Sequence, residues 1–161
     1  AKDVVAMSEI SRSAIKIPSP EIANEELLKK AAKSFRKVYL STGASTEEEI
    51  DKAVEIFEKN GTDFTLLHCV SKYPCEDHQV NLPRIQHLKK KNKSVGISDH
   101  SPDSLSAILA IPLGISVIEK HFTTDNELPG RDNKFALLPK EFAKITTAIQ
   151  RYEMMIEDLG N

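Results

Sequence analysis

Five short apolar runs in this chain of 161 residues each end in hydroxyl, ammonium or imidazole groups. The first ends KIPS, carrying Lys16 and Ser19, and the second ends LSTG, with Ser41, Thr42 and Gly43. The third ends LLHCVSKYP, which offers His68, Ser71, Lys72 and Tyr73. The fourth ends GISDH, with Ser98, Asp99 and His100, and the fifth IEKHFT, with Glu119, Lys120, His121 and Thr123. In parallel α/β folds chemistry collects where strands stop and loops begin. Five consecutive polar ends exceed what sheet stability requires.

Two kinds of chemistry suit these groups. Ser-Thr-Gly ahead of a helix N-terminus can cradle an anion on free backbone N–H groups, with Gly43 admitting the ligand to the main chain. The plainer alternative is that Ser41 and Thr42 only cap the helix. Lys16 and Ser19 on the adjacent run favour phosphate, which wants a cation beside hydroxyls. His100 and His121 close neighbouring runs, and two neutral imidazoles with open positions suit a divalent transition metal such as manganese or zinc. Against this, a histidine is more often a surface or satisfied core residue, and the spacing is no metal motif.

Period two turns Glu119 to the same side as His121 and Lys120 to the opposite one, outside or between layers. Asp132, in LPGRDNK, can hold a sugar hydroxyl or serve as a turn aspartate. His78 and His87 are expected to be solvated. Cys69 and Cys75 lack CxxC spacing and read as a buried strand-end thiol and a loop thiol, neither a nucleophile.

The elements that must position these residues follow from periodicity. Strands are predicted at Ala14–Ile17, Val38–Ser41, Phe64–Cys69, Ser94–Ile97 and Ser116–Lys120, with starts 22 to 30 residues apart, one βα unit each. Between them lie amphipathic stretches with start and stop signals. Asn24 precedes EELLKKAAKSF, and Ser45 or Thr46 precedes EEEIDKAVEIFEKNG, in which Ile50, Ala53, Val54 and Phe57 form a stripe ended by Gly61. Pro83 opens PRIQHLKKKN, Ser104 opens LSAILAIPLG, and Pro139 opens the last helix. A closed eight-unit barrel needs on the order of 200 to 250 residues. Five strands would also serve an open doubly wound sheet.

Composition excludes several classes. The chain is 40% apolar and 29% charged with net charge −2, which gives no electrostatic footprint for nucleic acid or an anionic membrane. The longest apolar run, from Ala107 to Ile118, contains Pro112 and is far shorter than the roughly 20 residues a bilayer requires. No secretory signal is visible, and a reducing, cytoplasmic compartment is expected. The chain opens in helix-like sequence, DVVAMSEI, and closes on Leu159-Gly160-Asn161, a helix C-cap pattern. Both ends are expected to be cuts in a longer chain.

Taken in order, KIPS, LSTGAS, LLHCVSKYP, GISDH, IEKHFT and LPGRDNKFALLP resemble the sialic acid synthase family, from about Lys16 to near Ile149. The resemblance implies condensation of phosphoenolpyruvate with an N-acetylated amino sugar, typically N-acetylmannosamine, releasing phosphate by C–O cleavage. It implies a (β/α)8 barrel, a divalent metal (manganese or magnesium), a C-terminal antifreeze-like domain and a domain-swapped homodimer. On matching positions, His100 and His121 would ligate the metal, while Lys16, Ser19, Ser41 and Ser98 would hold phosphoenolpyruvate. Ser71 is a candidate for a carboxylate contact, and Tyr73, Glu119 and Asp132 would touch the amino sugar. Tyr73, Glu119, His100 and His121 are the expected catalytic set.

The family's first three βα units and its antifreeze-like domain have no counterpart in this sequence. Residues 1–161 are therefore expected to be one domain, an incomplete TIM barrel of approximately strands four to eight, with little or no activity alone. Two alternatives stay open. Pseudaminate and legionaminate synthases share the motifs, and the loop containing Arg131 and Asn133 could tune the sugar. A non-catalytic fragment could instead keep only the metal and phosphate cradle.

Overall fold

The fold, taken from a computed structural model, is described for residues 2–158. The elements are α1 (Lys2–Ile10), β1 (Ala14–Ile17), α2 (Glu25–Ser34), β2 (Lys37–Ser41), α3 (Glu47–Lys59), β3 (Asp63–Cys69), α4 (Arg84–Leu88), β4 (Val95–Asp99), α5 (Leu105–Ala110), β5 (Val117–Lys120) and α6 (Pro139–Met155). Every predicted strand is present, four of them within a residue of their expected limits, while β4 runs two residues further, to Asp99. The predicted C-cap at Leu159 and Gly160 lies outside the described residues.

The helices start where their sequences allow. Asn24 accepts a hydrogen bond from Leu27 N, with Glu25 and Glu26 in the first turn of α2. Thr46, not Ser45, caps α3 through a reciprocal capping box with Glu49. Gly61, at φ +63°, takes the left-handed conformation that ends α3. Pro112 and Gly114, the latter at φ +73°, shorten the LSAILAIPLG helix to α5 and one 3-10 turn.

The five strands are parallel and hydrogen-bonded in chain order, β1-β2-β3-β4-β5. A doubly wound sheet reverses its order at a switch point, so sequential order excludes that alternative. The strands' outer face carries Ile15, Ile17, Val38, Leu40, Phe64, Leu66, Val95 and Ile97, packed on Leu28, Ala31, Ile50, Ala53, Phe57, Ile85 and Leu88 of the helices. Alternation sends the remaining residues to the other face. Laid flat at about 4.8 Å per strand, β1 and β5 would stand roughly 19 Å apart. Yet Lys16 Nζ on β1 donates to Glu119 Oε1 on β5 at 2.8 Å. The sheet is therefore curled into a trough, with both side chains on its concave face.

Candidate active site

Register and alternation fill the upper concave face with polar groups. Cys69 pairs with Ser98 and Ser98 with Glu119, so these three side chains point the same way in adjacent strands. Ser41 lies beside them at the end of β2, and Lys16 reaches over from β1. Ser19, just past β1, stands 3.1 Å from Ser71 just past β3, hydroxyl to hydroxyl. The predicted anion-binding residues thus converge.

The predicted support for them is different. The Ser41-Thr42-Gly43 segment ends β2 and does not sit on a helix N-terminus, because α3 begins at Glu47. The capping box and three glutamates in the first turn already occupy that terminus. Thr42 neither caps nor faces the trough; its hydroxyl donates to Leu67 O at 3.0 Å. The open side of Gly43 is filled by Ser71 and Cys69 rather than left for a ligand.

A second cluster stands at the ends of β3, β4 and β5. The His100 and His121 ring centroids are 5.5 Å apart, and Tyr73 lies 4.1 Å from His100 and 5.6 Å from His121. His100 Nδ1 is 2.8 Å from Val70 O. A carbonyl only accepts, so Nδ1 carries the proton and Nε2 presents its lone pair. The Tyr73 hydroxyl donates to that Nε2 at 2.9 Å. Burial, reinforced by His121, pushes the His100 imidazole below its ordinary value despite the Val70 contact, so the ring is neutral at pH 7. Burial pushes the Tyr73 phenol up, with Cys69, Asp132 and Glu119 adding to the rise. Asp132 is half-buried at the start of a 3-10 turn, near enough for its charge to be felt at Tyr73.

A cavity of about 60 Å³ lies between Ser98, Asp99, His100, Glu119, Lys120 and His121. It has room for a cation with its water, and two imidazoles are suitable donors for one. Among the described residues no group of three or more His, Cys, Asp or Glu could hold a metal. The two histidines fit part of a coordination set, the rest of which substrate and water would have to supply. Larger cavities of about 430 and 350 Å³ lie elsewhere, and no predicted site residue lines them.

Two buried polar atoms have no hydrogen-bond partner among the described residues, Ser41 Oγ and Glu119 Oε2. Both belong to predicted site residues, and a buried polar atom without a partner calls for an explanation.

Other residues fall outside the trough. His68 is buried with Nε2 2.6 Å from Val80 O, and burial pushes its imidazole down. Lys72 is exposed beside Glu76. His78 is exposed as expected, but His87 is not simply solvated: it holds Glu47 at 2.9 Å alongside Arg84 and Lys91. Asn133 donates to the carbonyls of Asp125 and Leu128 and so shapes its own loop. Cys69 is more central than a strand-end thiol need be, and burial pushes it up, against the pull of Ser98 and Ser71, as befits a thiol that is not a nucleophile. Sequence reasoning missed the Val70 carbonyl and the ion pair between Asp99 and Lys120, which lies between the layers. Its only sequence signal is two opposite charges, each directly before a strand-end histidine.

These features can be set beside known proteins. The model of the NeuB family matches residues 1–160. An N,N'-diacetyllegionaminic acid synthase from Campylobacter jejuni is 40% identical over 98% of this chain and 48% of its own length. A pseudaminic acid synthase from the same species is 38% identical over 98% of this chain and 46% of its own. The crystal structure of an N-acetylneuraminic acid (sialic acid) synthetase from Leptospira borgpetersenii superposes with a TM-score of 0.92 at 40% identity, covering 100% of this chain and 56% of that one. A DAHP synthase from Thermotoga maritima, at 19% identity and a TM-score of 0.79, shares the fold. The chain spans about half the length of the curated relatives it matches. Its curled parallel sheet is part of a (β/α)8 barrel, and the chain belongs to the NeuB family.

Proposed function

We propose that this chain forms the C-terminal part of the barrel of a nonulosonic acid synthase, which joins phosphoenolpyruvate to an N-acetylated amino sugar. The observation that supports this best is the pair of unpartnered buried atoms at the mouth of the trough. Ser41 Oγ can donate to a phosphate or carboxylate oxygen. Glu119 Oε2 can only accept, which suits a sugar hydroxyl or N–H. The relatives named as legionaminic and pseudaminic acid synthases make the same reading natural.

Lys16 and the hydroxyls of Ser19, Ser41, Ser71 and Ser98 hold the phosphate and carboxylate, and turn the methylene carbon toward the sugar. Glu119, Tyr73 and Asp132 hold the open-chain sugar with its aldehyde above the trough. His100 and His121 would hold manganese or magnesium, whose contribution would be Lewis acidity at the aldehyde oxygen. The methylene carbon bonds to the aldehyde carbon, water adds at the carbon bearing the phosphate, and phosphate leaves with C–O cleavage. Most of the acceleration comes from positioning and fixed charge. The work is assigned to the cytoplasm, where the free thiols of Cys69 and Cys75 persist. No described helix is long and apolar enough to cross a membrane.

β1 and β5 each pair on one side only among the described strands, so the chain alone is expected to turn over little. Manganese calorimetry on the chain, beside a His100→Ala, His121→Ala variant, tests the reading. Binding in the chain and loss in the variant are expected, and no binding by either would sink a site formed from these strands. With the whole protein, a panel of N-acetylmannosamine and diacetamido sugars then identifies the acceptor.

A further inference from the structure

Asp99 and Lys120 are the last register pair of the β4–β5 ladder, and both side chains are 2% exposed. Alternation turns them away from the trough, toward the helices, while the next residue on each strand is a histidine. Lys120 Nζ donates to Asp99 Oδ2 at 2.7 Å, to Ser101 O at 2.7 Å and to Ser101 Oγ at 2.9 Å. Asp99 Oδ1 accepts from Ser101 N at 2.9 Å, closing a turn over His100. One ammonium is therefore tied to the residues on both sides of His100 and directly precedes His121.

Strand packing by itself does not call for this arrangement. A buried ion pair is expensive to desolvate, and well-packed apolar residues usually hold two strands as well or better. What an apolar pair cannot do is fix direction. The ladder stops at Asp99 and Lys120, so no strand hydrogen bond sets the separation of the two imidazoles beyond it. Val70 O orients the His100 ring, and Cys75 N and Leu137 N hold the His100 and His121 carbonyls, but among the described residues only the three directed donors from Lys120 tie the two strand ends to each other.

We propose that Asp99 and Lys120 are positioning residues, an electrostatic clamp that sets the spacing and facing of His100 and His121. The proposal rests on the reading of those histidines as a paired site, and deepens it. Outer partners that orient ligating histidines are worth roughly 10–100-fold in metal affinity.

The test replaces the pair by Asp99→Leu, Lys120→Met and uses the metal-free chain first. Histidine-ring NMR reports the tautomer of His100 and the proton contacts between the His100 and His121 rings. In the native chain the Nδ1–H tautomer and cross-ring contacts are expected. In the folded variant, checked by thermal melting, those contacts should disappear. Unchanged ring contacts in a folded variant would overturn the clamp, whatever the metal does; the tautomer, set by Val70 O, should persist in both proteins. If the apolar pair does not fold, Asp99→Asn, Lys120→Met keeps the Asp99 shape, removes all three donors of the ammonium and is read the same way. Manganese titration is the second arm, with a 10–100-fold weaker variant expected. A native chain with intact ring contacts but no manganese binding refutes the metal reading and leaves the clamp standing.

Discussion

Gly43 and Cys69 lie in such close contact that a methyl group on Gly43 would come within 2.8 Å of both the Cys69 carbonyl oxygen and its sulfur. The same methyl would be 2.7 Å from Ser71 Oγ. The end of β2 and the end of β3 are thus packed main chain to main chain in the middle of the trough.

Gly43→Ala should therefore destabilise the chain by about 1–3 kcal/mol, the usual cost of overpacking where backbone has to move. It should also separate Ser71 from Ser19. Urea unfolding measures the first effect. A variant as stable as the native chain would mean that β3 yields there at little cost.

Ser41→Ala should behave in the opposite way. The Ser41 hydroxyl is buried without a partner, and an unsatisfied buried hydroxyl costs about 1–3 kcal/mol. Its removal should leave stability equal or slightly higher while phosphoenolpyruvate binding weakens. A clear drop in melting temperature would show that the hydroxyl is satisfied in solution and not reserved for a ligand.

Lys120→Met alone should cost about 3–5 kcal/mol, because it leaves the Asp99 carboxylate buried and uncompensated. Burial by itself would raise the Asp99 carboxyl. The Lys120 ammonium and the donors from Ser106 and Ser101 outweigh burial and hold it below its ordinary value. A carboxyl lowered on folding stabilises the fold above its unfolded value of about 3.9, and that contribution is lost as pH falls through the lower folded value. In Asp99→Asn, the acid limb of the stability curve should flatten over that range. An unchanged limb would assign acid unfolding to other carboxylates.

Glu47 makes a gentler case. The hydrogen bond from His87, joined by Arg84 and Lys91, outweighs the opposing effect of burial and pulls its carboxyl down to about 2. Its side chain is 46% exposed, so water and salt screen the cluster. Glu47→Gln should cost at most about 1 kcal/mol at neutral pH, and less in high salt. Any such loss should fade as pH falls from about 4.5 toward 2. A larger, salt-independent loss would mean that the cluster is less screened than its exposure suggests.

The sequence by itself determined the elements. A parallel strand buried on both faces has to be short and apolar, and helix caps demand particular residues, so β1 to β5 and the starts of α2, α3 and α6 were legible locally. So was the chemistry gathered at the strand ends, because period two and a strand's stopping point are local facts. Ser41-Thr42-Gly43 was misjudged as a helix cradle because nothing local shows that Thr46, with Glu49, makes the cap. Only the tertiary structure decided which strand ends meet. Lys16 and Glu119, 103 residues apart in sequence, touch because five strands curl together. Ser19 meets Ser71, and the Val70 carbonyl selects the His100 tautomer, for the same reason. Register tells which side a residue faces. The distance across a curled sheet depends on the twist and packing of all its strands at once.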